Sequence, residues 1–423
     1  MFFLPITMYA LTLRKYQETC GAMQRASARY GGALSDDQSA TFMGYLRADG
    51  SVGVRNHVLV VSILGLVNRV AARIADCVAG TLLVETPYGR GQYGADKALH
   101  RAVLGGLCLN PNVAAVLIVG ADRRAVDDIA ALAASGGKPV RIVALDDTHE
   151  DSLAASAAGT RAAGELVHAA SRLQRTRQPA SRLFLGVECG HSDATSGLVA
   201  NPVAGSCVDR LVDAGGTAVV GETVEWLGAE HILAQRAATP IVAEAIVAAV
   251  LRREAEVAAS GQSLTGNNPG SENIRGGLSS IEEKSLGAIA KTGTRPIRGL
   301  LQVAERPSIP GLHLMDGPSF SPESLTGFAA SGAQLMLFTT GAGNSFCSAI
   351  APTVKITGRP QTATLLPDQI DFDASAAFLG REDIGPLGER LFETVLAVAS
   401  GAATWGEIHG EGGEAFVRVG ASM

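Results

Sequence analysis

The sequence predicts an α/β protein built from two Rossmann-like units, doubly wound and mostly parallel, with a site in the cleft between them. Two observations carry this prediction. Short apolar runs rich in β-branched residues alternate with stretches of helical spacing from residue 58 to residue 258, which is the pattern of parallel βαβ units covered on both faces. In addition, Gly186-Val187-Glu188-Cys189-Gly190-His191-Ser192-Asp193-Ala194-Thr195-Ser196-Gly197 follows the apolar run Leu183-Phe184-Leu185 and precedes helical spacing through Cys207, Val208, Leu211 and Val212. Glycines, hydroxyls, an acid, a thiol and an imidazole are thereby placed at the carboxyl end of a predicted strand, where backbone amides and the next helix's amino end converge. A simple strand-to-helix turn needs only about 2–6 residues, so this one is long for a turn alone. A tight turn capped by Ser and Asp is the structural alternative.

Residues 1–43 show no strong pattern and read as an amino-terminal extension. In the first unit, 44–177, strands are expected at 58–63, 81–85, 113–119 and 140–145, with helices at 67–78, 97–107, about 125–134 and 151–173 between and after them. Right-handed crossovers make a doubly wound sheet the simplest topology for that order. Residues 175–180, rich in Arg and Gln with Pro179, read as a linker. The second unit, 178–423, should hold strands at 182–187, 217–221, 311–315, 334–339 and 353–356, helices near 203–214 and at 240–258, a Gly/Asn/Ser-rich loop at 261–277, and a late amphipathic helix at 386–400.

Composition narrows the function classes. A chain of 423 residues with 47% hydrophobic and 18% charged content can bury a large core and is not a disordered chain. A net charge of −6 argues against a general nucleic-acid surface. The six cysteines (Cys20, Cys77, Cys108, Cys189, Cys207, Cys347) include no CxxC pair, so reduced thiols and a cytoplasmic location are expected. No uncharged apolar run reaches membrane-spanning length.

Several clusters could carry chemistry. Arg47, Arg55, Asn56 and His57 lie just ahead of the first strand, and arginine forks suit carboxylates; an Arg47–Asp49 surface pair and a structural His57 are the plainer readings. Arg90 sits in a loop with Gly89, Gly91 and Gly94 that lets backbone approach a ligand. Glu222, Glu225, Glu230 and His231 follow another strand as acid–base groups, hard-metal ligands or helix caps. Thr339 and Thr340 end a further strand, and Lys355 lies within an apolar run, either at a sheet edge or in a polar site.

Taken together, these residues resemble the altronate dehydratase/galactarate dehydratase family of hydro-lyases, which includes the large subunit of sulfolactate sulfo-lyase. The resemblance rests on 44–57, Asn110-Pro111-Asn112-Val113-Ala114-Ala115-Val116, 188–197 with Asn201-Pro202, Gly228-Ala229-Glu230, Glu283-Lys284-Ser285-Leu286-Gly287, and 338–343 with Pro352 and Lys355. It implies dehydration of a hydroxylated carboxylic acid of the sugar-acid or aldarate type to a 2-oxo acid. Alternatives are sulfite release from sulfolactate and a non-catalytic sugar-acid-binding paralogue. On this reading Arg47, Arg55, Asn56, Arg90, Asn201, Thr339 and Thr340 bind substrate, His57, His191 and Lys355 move protons, and Glu188, Ser192 and Asp193 orient them.

The chain departs from the family where cysteines are expected after the first three strands, reading Leu64-Gly65-Leu66, Tyr88-Gly89-Arg90-Gly91-Gln92 and Gly120-Ala121-Asp122. Two alternatives therefore stand. A divalent metal (Fe²⁺ by resemblance, or Mn²⁺ or Mg²⁺) is held by Cys189, His191 and a carboxylate, or a metal-free site uses Arg90 and Lys355. The resemblance further implies a homo-oligomer, and either a separate small β-rich subunit or a subfamily that works without it. A nucleotide-dependent oxidoreductase is disfavoured by the lack of GxGxxG after the first strand.

Overall fold

A computed structural model describes residues 40–264 and 266–419; the expectation for residues 1–39 lies outside the described residues. Two parallel sheets dominate. The first has four strands in the order Thr81–Val84, His57–Ser62, Val113–Gly120, Val140–Ala144. The second has seven, in the order Ile297–Gln302, Gly311–Asp316, Thr217–Val220, Phe184–Gly190, Leu335–Thr340, Thr353–Thr357, Phe372–Asp373. Every pairing in both is parallel, which confirms the α/β class. Among the described residues no helix is long and apolar enough to cross a membrane.

The order of the larger sheet positions the site. Phe184–Gly190 is central: the chain goes from it to Thr217–Val220 on one side, then crosses to Leu335–Thr340 on the other. That reversal is the topological switch point, whose carboxyl-end crevice is the usual ligand position in open α/β sheets. The sequence builds this sheet by alternation. Leu185 and Val187, like Leu335 and Leu337, face one core, whereas Phe184, Met336 and Phe338 face the other.

That second core is continuous with the first lobe, through helices Gly94–Leu109 and Ser321–Ala330. Gly106 lets the helices meet, because a Cβ there would collide with the Ala330 carbonyl. Asn110 and Asn112 bolt the junction. Asn110 Nδ2 donates to the Ala329 and Ala333 carbonyls at 2.7 and 2.8 Å. Asn112 Oδ1 accepts from the Val54 and Arg55 amides at 2.8 and 3.2 Å, while its Nδ2 donates to the Gln334 and Ile350 carbonyls at 2.8 and 2.9 Å. The Asn-Pro-Asn signature is thus a structural device.

Three features differ from the sequence expectation. Residues 175–180 are not a free linker: Thr176–Pro179 pairs antiparallel with Thr41–Gly44, so the segments leading into and out of the first lobe lie side by side. Ile297–Gln302 is an additional edge strand, half-exposed and carrying Arg298, which blurs its hydrophobic pattern. Phe372–Asp373 closes the opposite edge with two residues, too few for a periodic signal.

Candidate functional site

The site is built on the end of strand Phe184–Gly190. Cys189, buried, lies beside two acids that follow the neighbouring strand Thr217–Val220. Glu222 Oε2 is 3.3 Å from Cys189 Sγ, and Glu225 Oε2 is 3.4 Å from the same sulfur. Glu222 holds φ of 70°, a left-handed conformation that costs an L side chain about 1–3 kcal/mol and clusters at functional sites. The turn Thr223–Trp226 then brings Glu225 back, three residues on, to the same face.

Two lysines meet these acids. Lys291 Nζ contacts Glu222 Oε2 and lies 3.0 Å from Cys189 Sγ. Lys284 Nζ is 2.8 Å from Glu225 Oε1 and donates to Asn268 Oδ1 at 2.7 Å. Both lysines come from one stretch, helix Ile281–Ala288 continued by the turn Ile289–Thr292. Seven residues apart, they share a helical face.

Local packing fixes that stretch. Asn201 Nδ2 donates to the Gly287 carbonyl at 2.9 Å, while its Oδ1 accepts from Thr339 Oγ1 at 2.6 Å. Gly205 has no room for a side chain, since a Cβ there would strike the Ala290 carbonyl and lie 2.8 Å from the Gly293 amide. Gly205→Ala is therefore expected to displace the turn carrying Lys291, lowering both melting temperature and turnover; an alanine variant with unchanged turnover contradicts this placement.

The electrostatics split two carboxyls that face each other. Glu188, fully buried and accepting from Ser324 Oγ at 2.7 Å, is raised well above the carboxyl range by burial and by Glu222. Burial penalises ionised Glu222 most, but Lys291, the hydrogen bond from Glu188 and Lys284 together lower the net value. The Oε1 atoms of both have no other partner, and a proton on Glu188 donated to Glu222 satisfies them together. Burial opposes the charge on Lys291, yet Cys189 and Glu222 keep it raised. Cys189 itself is pushed well above the thiol range by burial and by Glu222. The cluster thus presents two ammonium groups, two carboxylates, one carboxylic acid and one thiol.

Comparison with known proteins places the chain in a family. Residues 180–422 match the family described as D-galactarate/altronate dehydratase, C-terminal, and residues 44–171 match D-galactarate dehydratase/altronate hydrolase, second domain. The chain belongs to the D-galactarate/altronate dehydratase family. It is 40% identical over 376 residues to (2R)-sulfolactate sulfo-lyase subunit beta of Chromohalobacter salexigens, covering 88% of this chain and 95% of that protein. It is 31% identical to Escherichia coli altronate dehydratase, covering 86% of this chain and 74% of the relative. With Escherichia coli galactarate dehydratase (L-threo-forming) it shares 29% identity over 85% of this chain and 73% of the relative.

Within this family member the residues singled out from sequence fall into separate groups. Glu188, Cys189, Ser192, Asp193, Asn201, Thr339 and Thr340 gather at the switch point. Asp193 Oδ1 takes the Thr195 hydroxyl at 2.7 Å and the Ser196 amide at 3.1 Å, and Thr340 Oγ1 takes the Gly343 amide at 3.0 Å. Ser192 Oγ is buried with no partner.

Arg47, Arg55, Asn56, His57 and Lys355 do not join them. Arg47 is spent on the Pro111 and Arg55 carbonyls and on Asn56 Oδ1; Asn56 donates to the Ala170 carbonyl at 2.9 Å. Arg55 forms a fork with Glu407, at 2.6 and 2.8 Å, and Lys355, fully buried, pairs with Glu411 at 2.8 Å. Arg55 and Lys355 thereby hold the carboxyl-terminal segment. Arg90 is exposed on its loop.

His57 beside Arg55 is lowered to about 4, chiefly by burial. Its neutral form is the folded one, so the contribution is complete above 6.5 and is lost as pH falls toward about 4. Urea midpoints of the native chain should therefore drop more steeply across that interval than those of His57→Gln; equal slopes contradict the assignment.

The metal expectation needs correction in its ligands. His191 is exposed, with φ of 50°, and its Nδ1 lies 2.8 Å from the Gly343 carbonyl. Among the described residues the set with metal-like spacing is Cys189, Glu222 and Glu225, whose ligand atoms lie within 4.8 Å of one another. Thiolate with two carboxylates suits a borderline divalent ion, but the Lys291 ammonium already contacts two of the ligand atoms, on Glu222 and Cys189.

Proposed function

We propose that the chain is a lyase that eliminates a β-substituent from a hydroxylated carboxylic acid, giving an enol that becomes a 2-oxo acid. The observation that carries the reading is the buried Glu188–Glu222 pair at the switch point of the large sheet, with Lys291 on Glu222 and surroundings that raise Glu188 and lower Glu222. Environments that push two carboxyls apart define an acid and a base. Glu222 takes the proton from the carbon that bears the substrate carboxylate, and the C–H electrons form the carbon–carbon double bond. The bond from the adjacent carbon to its hydroxyl breaks, and the proton of Glu188 converts the departing hydroxide to water. Lys291 and Lys284 stabilise the enediolate dianion formed in between, where preorganised charge acts most strongly. Ser192 Oγ, buried and unpartnered, is a donor for substrate oxygen.

Sugar acids of the altronate and galactarate type are the first substrate class. A second reading, sulfite as leaving group, is favoured by the near full-length match to the sulfo-lyase subunit, against about three quarters of the dehydratases. Incubation with altronate, galactarate and (2R)-sulfolactate, with and without Fe²⁺, Mn²⁺ and Mg²⁺, tests both. A 2-oxo acid accompanied by sulfite selects the second reading, and a 2-oxo acid alone selects the first. Thermal stabilisation by these acids without any product overturns both and leaves a binding protein.

The same relative is named as one subunit, which supports a separate small partner for this chain; full activity of the isolated chain would refute it. The family matches at 44–171 and 180–422 support units divided as 44–177 and 178–423.

A further inference from the structure

We propose that Lys291 is the resident cation of the Cys189–Glu222–Glu225 set, and that its ammonium excludes a divalent metal from that position. The argument is geometric. A metal ion bound by thiolate and carboxylates sits about 2.0–2.6 Å from each ligand atom. Lys291 Nζ already touches Glu222 Oε2 and lies 3.0 Å from Cys189 Sγ, so an ion sharing those two atoms either overlaps the ammonium or is forced to the far side of the sulfur–oxygen line, still beside its charge. The Lys291 side chain is 1% exposed, and its backbone turn Ile289–Thr292 packs tightly on helix Asn201–Asp213, where a Gly205 Cβ would strike the Ala290 carbonyl.

Charge leads to the same conclusion. Two ammonium groups, Lys284 and Lys291, face two carboxylates, Glu225 and Glu222, so the buried group is balanced as it stands. A divalent ion with a Cys189 thiolate would leave one surplus positive charge next to Lys291, in surroundings where repulsion is screened poorly. Substituting Lys291 with a short neutral residue removes both obstacles and leaves a thiol and two carboxylates with metal-like spacing. The inference concerns binding and holds independently of which substrate, if any, the chain converts.

Cobalt(II) is the probe, because a thiolate ligand gives a charge-transfer band in the near ultraviolet. The wild-type chain should show no such band and retain no stoichiometric Co²⁺ after desalting. Lys291→Ala should show the band and retain stoichiometric Co²⁺, and adding Cys189→Ser should abolish the band. A Cys189-dependent band in the wild-type chain overturns the proposal. A folded Lys291→Ala chain without the band overturns it too, since Lys291 would then not be what excludes the ion. Should the alanine variant fail to fold, Lys291→Ser clears the ammonium, leaves a hydroxyl donor beside Glu222 and keeps all three ligand side chains. Cys189-dependent Co²⁺ retention by that variant then supports the proposal, and its absence overturns it. The wild-type measurement stands alone in any case.

Discussion

Lys291→Met is expected to lower turnover by about 10²–10³-fold, the loss seen when one preorganised stabiliser of a developing anion is removed. The same substitution should destabilise the fold by about 3–5 kcal/mol, because it strands the buried Glu222 carboxylate. The two effects have separate origins and come apart in a double variant. Glu222→Gln added to Lys291→Met removes the stranded charge, so urea unfolding should recover much of the stability while turnover stays lost, since the double variant also lacks the proposed base. If both recover together, neither Lys291 nor Glu222 takes part in the reaction. If neither single variant loses turnover, the switch-point cluster is not the reacting centre.

Asn112→Ala should be the most damaging change remote from that cluster. The side chain, fully buried, serves two backbone amides and two backbone carbonyls drawn from both lobes. Each buried group left unsatisfied costs about 1–3 kcal/mol, and water filling the small void returns part of that. A net loss of roughly 3–5 kcal/mol in urea unfolding follows. Asn112→Asp keeps the acceptor for Val54 and Arg55 but not the donors to Gln334 and Ile350, and it buries a charge, so it should be no better. A loss below about 1 kcal/mol would show that the bolt carries little of the junction's stability.

Much of the fold was legible in the sequence because buried parallel strands announce themselves as apolar β-branched runs. The runs at 58–63, 113–119 and 334–339 match strands His57–Ser62, Val113–Gly120 and Leu335–Thr340. Strands that escaped are edges or short ribbons: Ile297–Gln302 is half-exposed, and Thr176–Pro179 pairs with a segment 132 positions away. The turn after Phe184–Gly190 stood out because its residue types are dense with chemistry.

Its partners did not stand out. Glu222 and Glu225 were visible as acids after a strand, but only the sheet order brings them to Cys189. Lys291 lay hidden in the small-residue run Gly287-Ala288-Ile289-Ala290-Lys291-Thr292, although its seven-residue spacing from Lys284 was a usable sign of a shared face. Conversely, Arg55 looked like a carboxylate anchor and Lys355 like a proton carrier because their partners, Glu407 and Glu411, are 352 and 56 positions away. A cation's neighbours along the chain do not reveal which distant carboxylate neutralises it.

The central claim is that this chain breaks a carbon–hydrogen bond next to a carboxylate and expels a group from the adjacent carbon. Turnover in D₂O tests it most directly, with the 2-oxo acid examined by mass spectrometry and NMR as it forms. Elimination through an enol predicts a single deuterium at the carbon that lost its substituent, because ketonisation takes its proton from solvent. A 2-oxo acid with no deuterium at that carbon would mean that hydrogen moved within the substrate, and it would contradict the account.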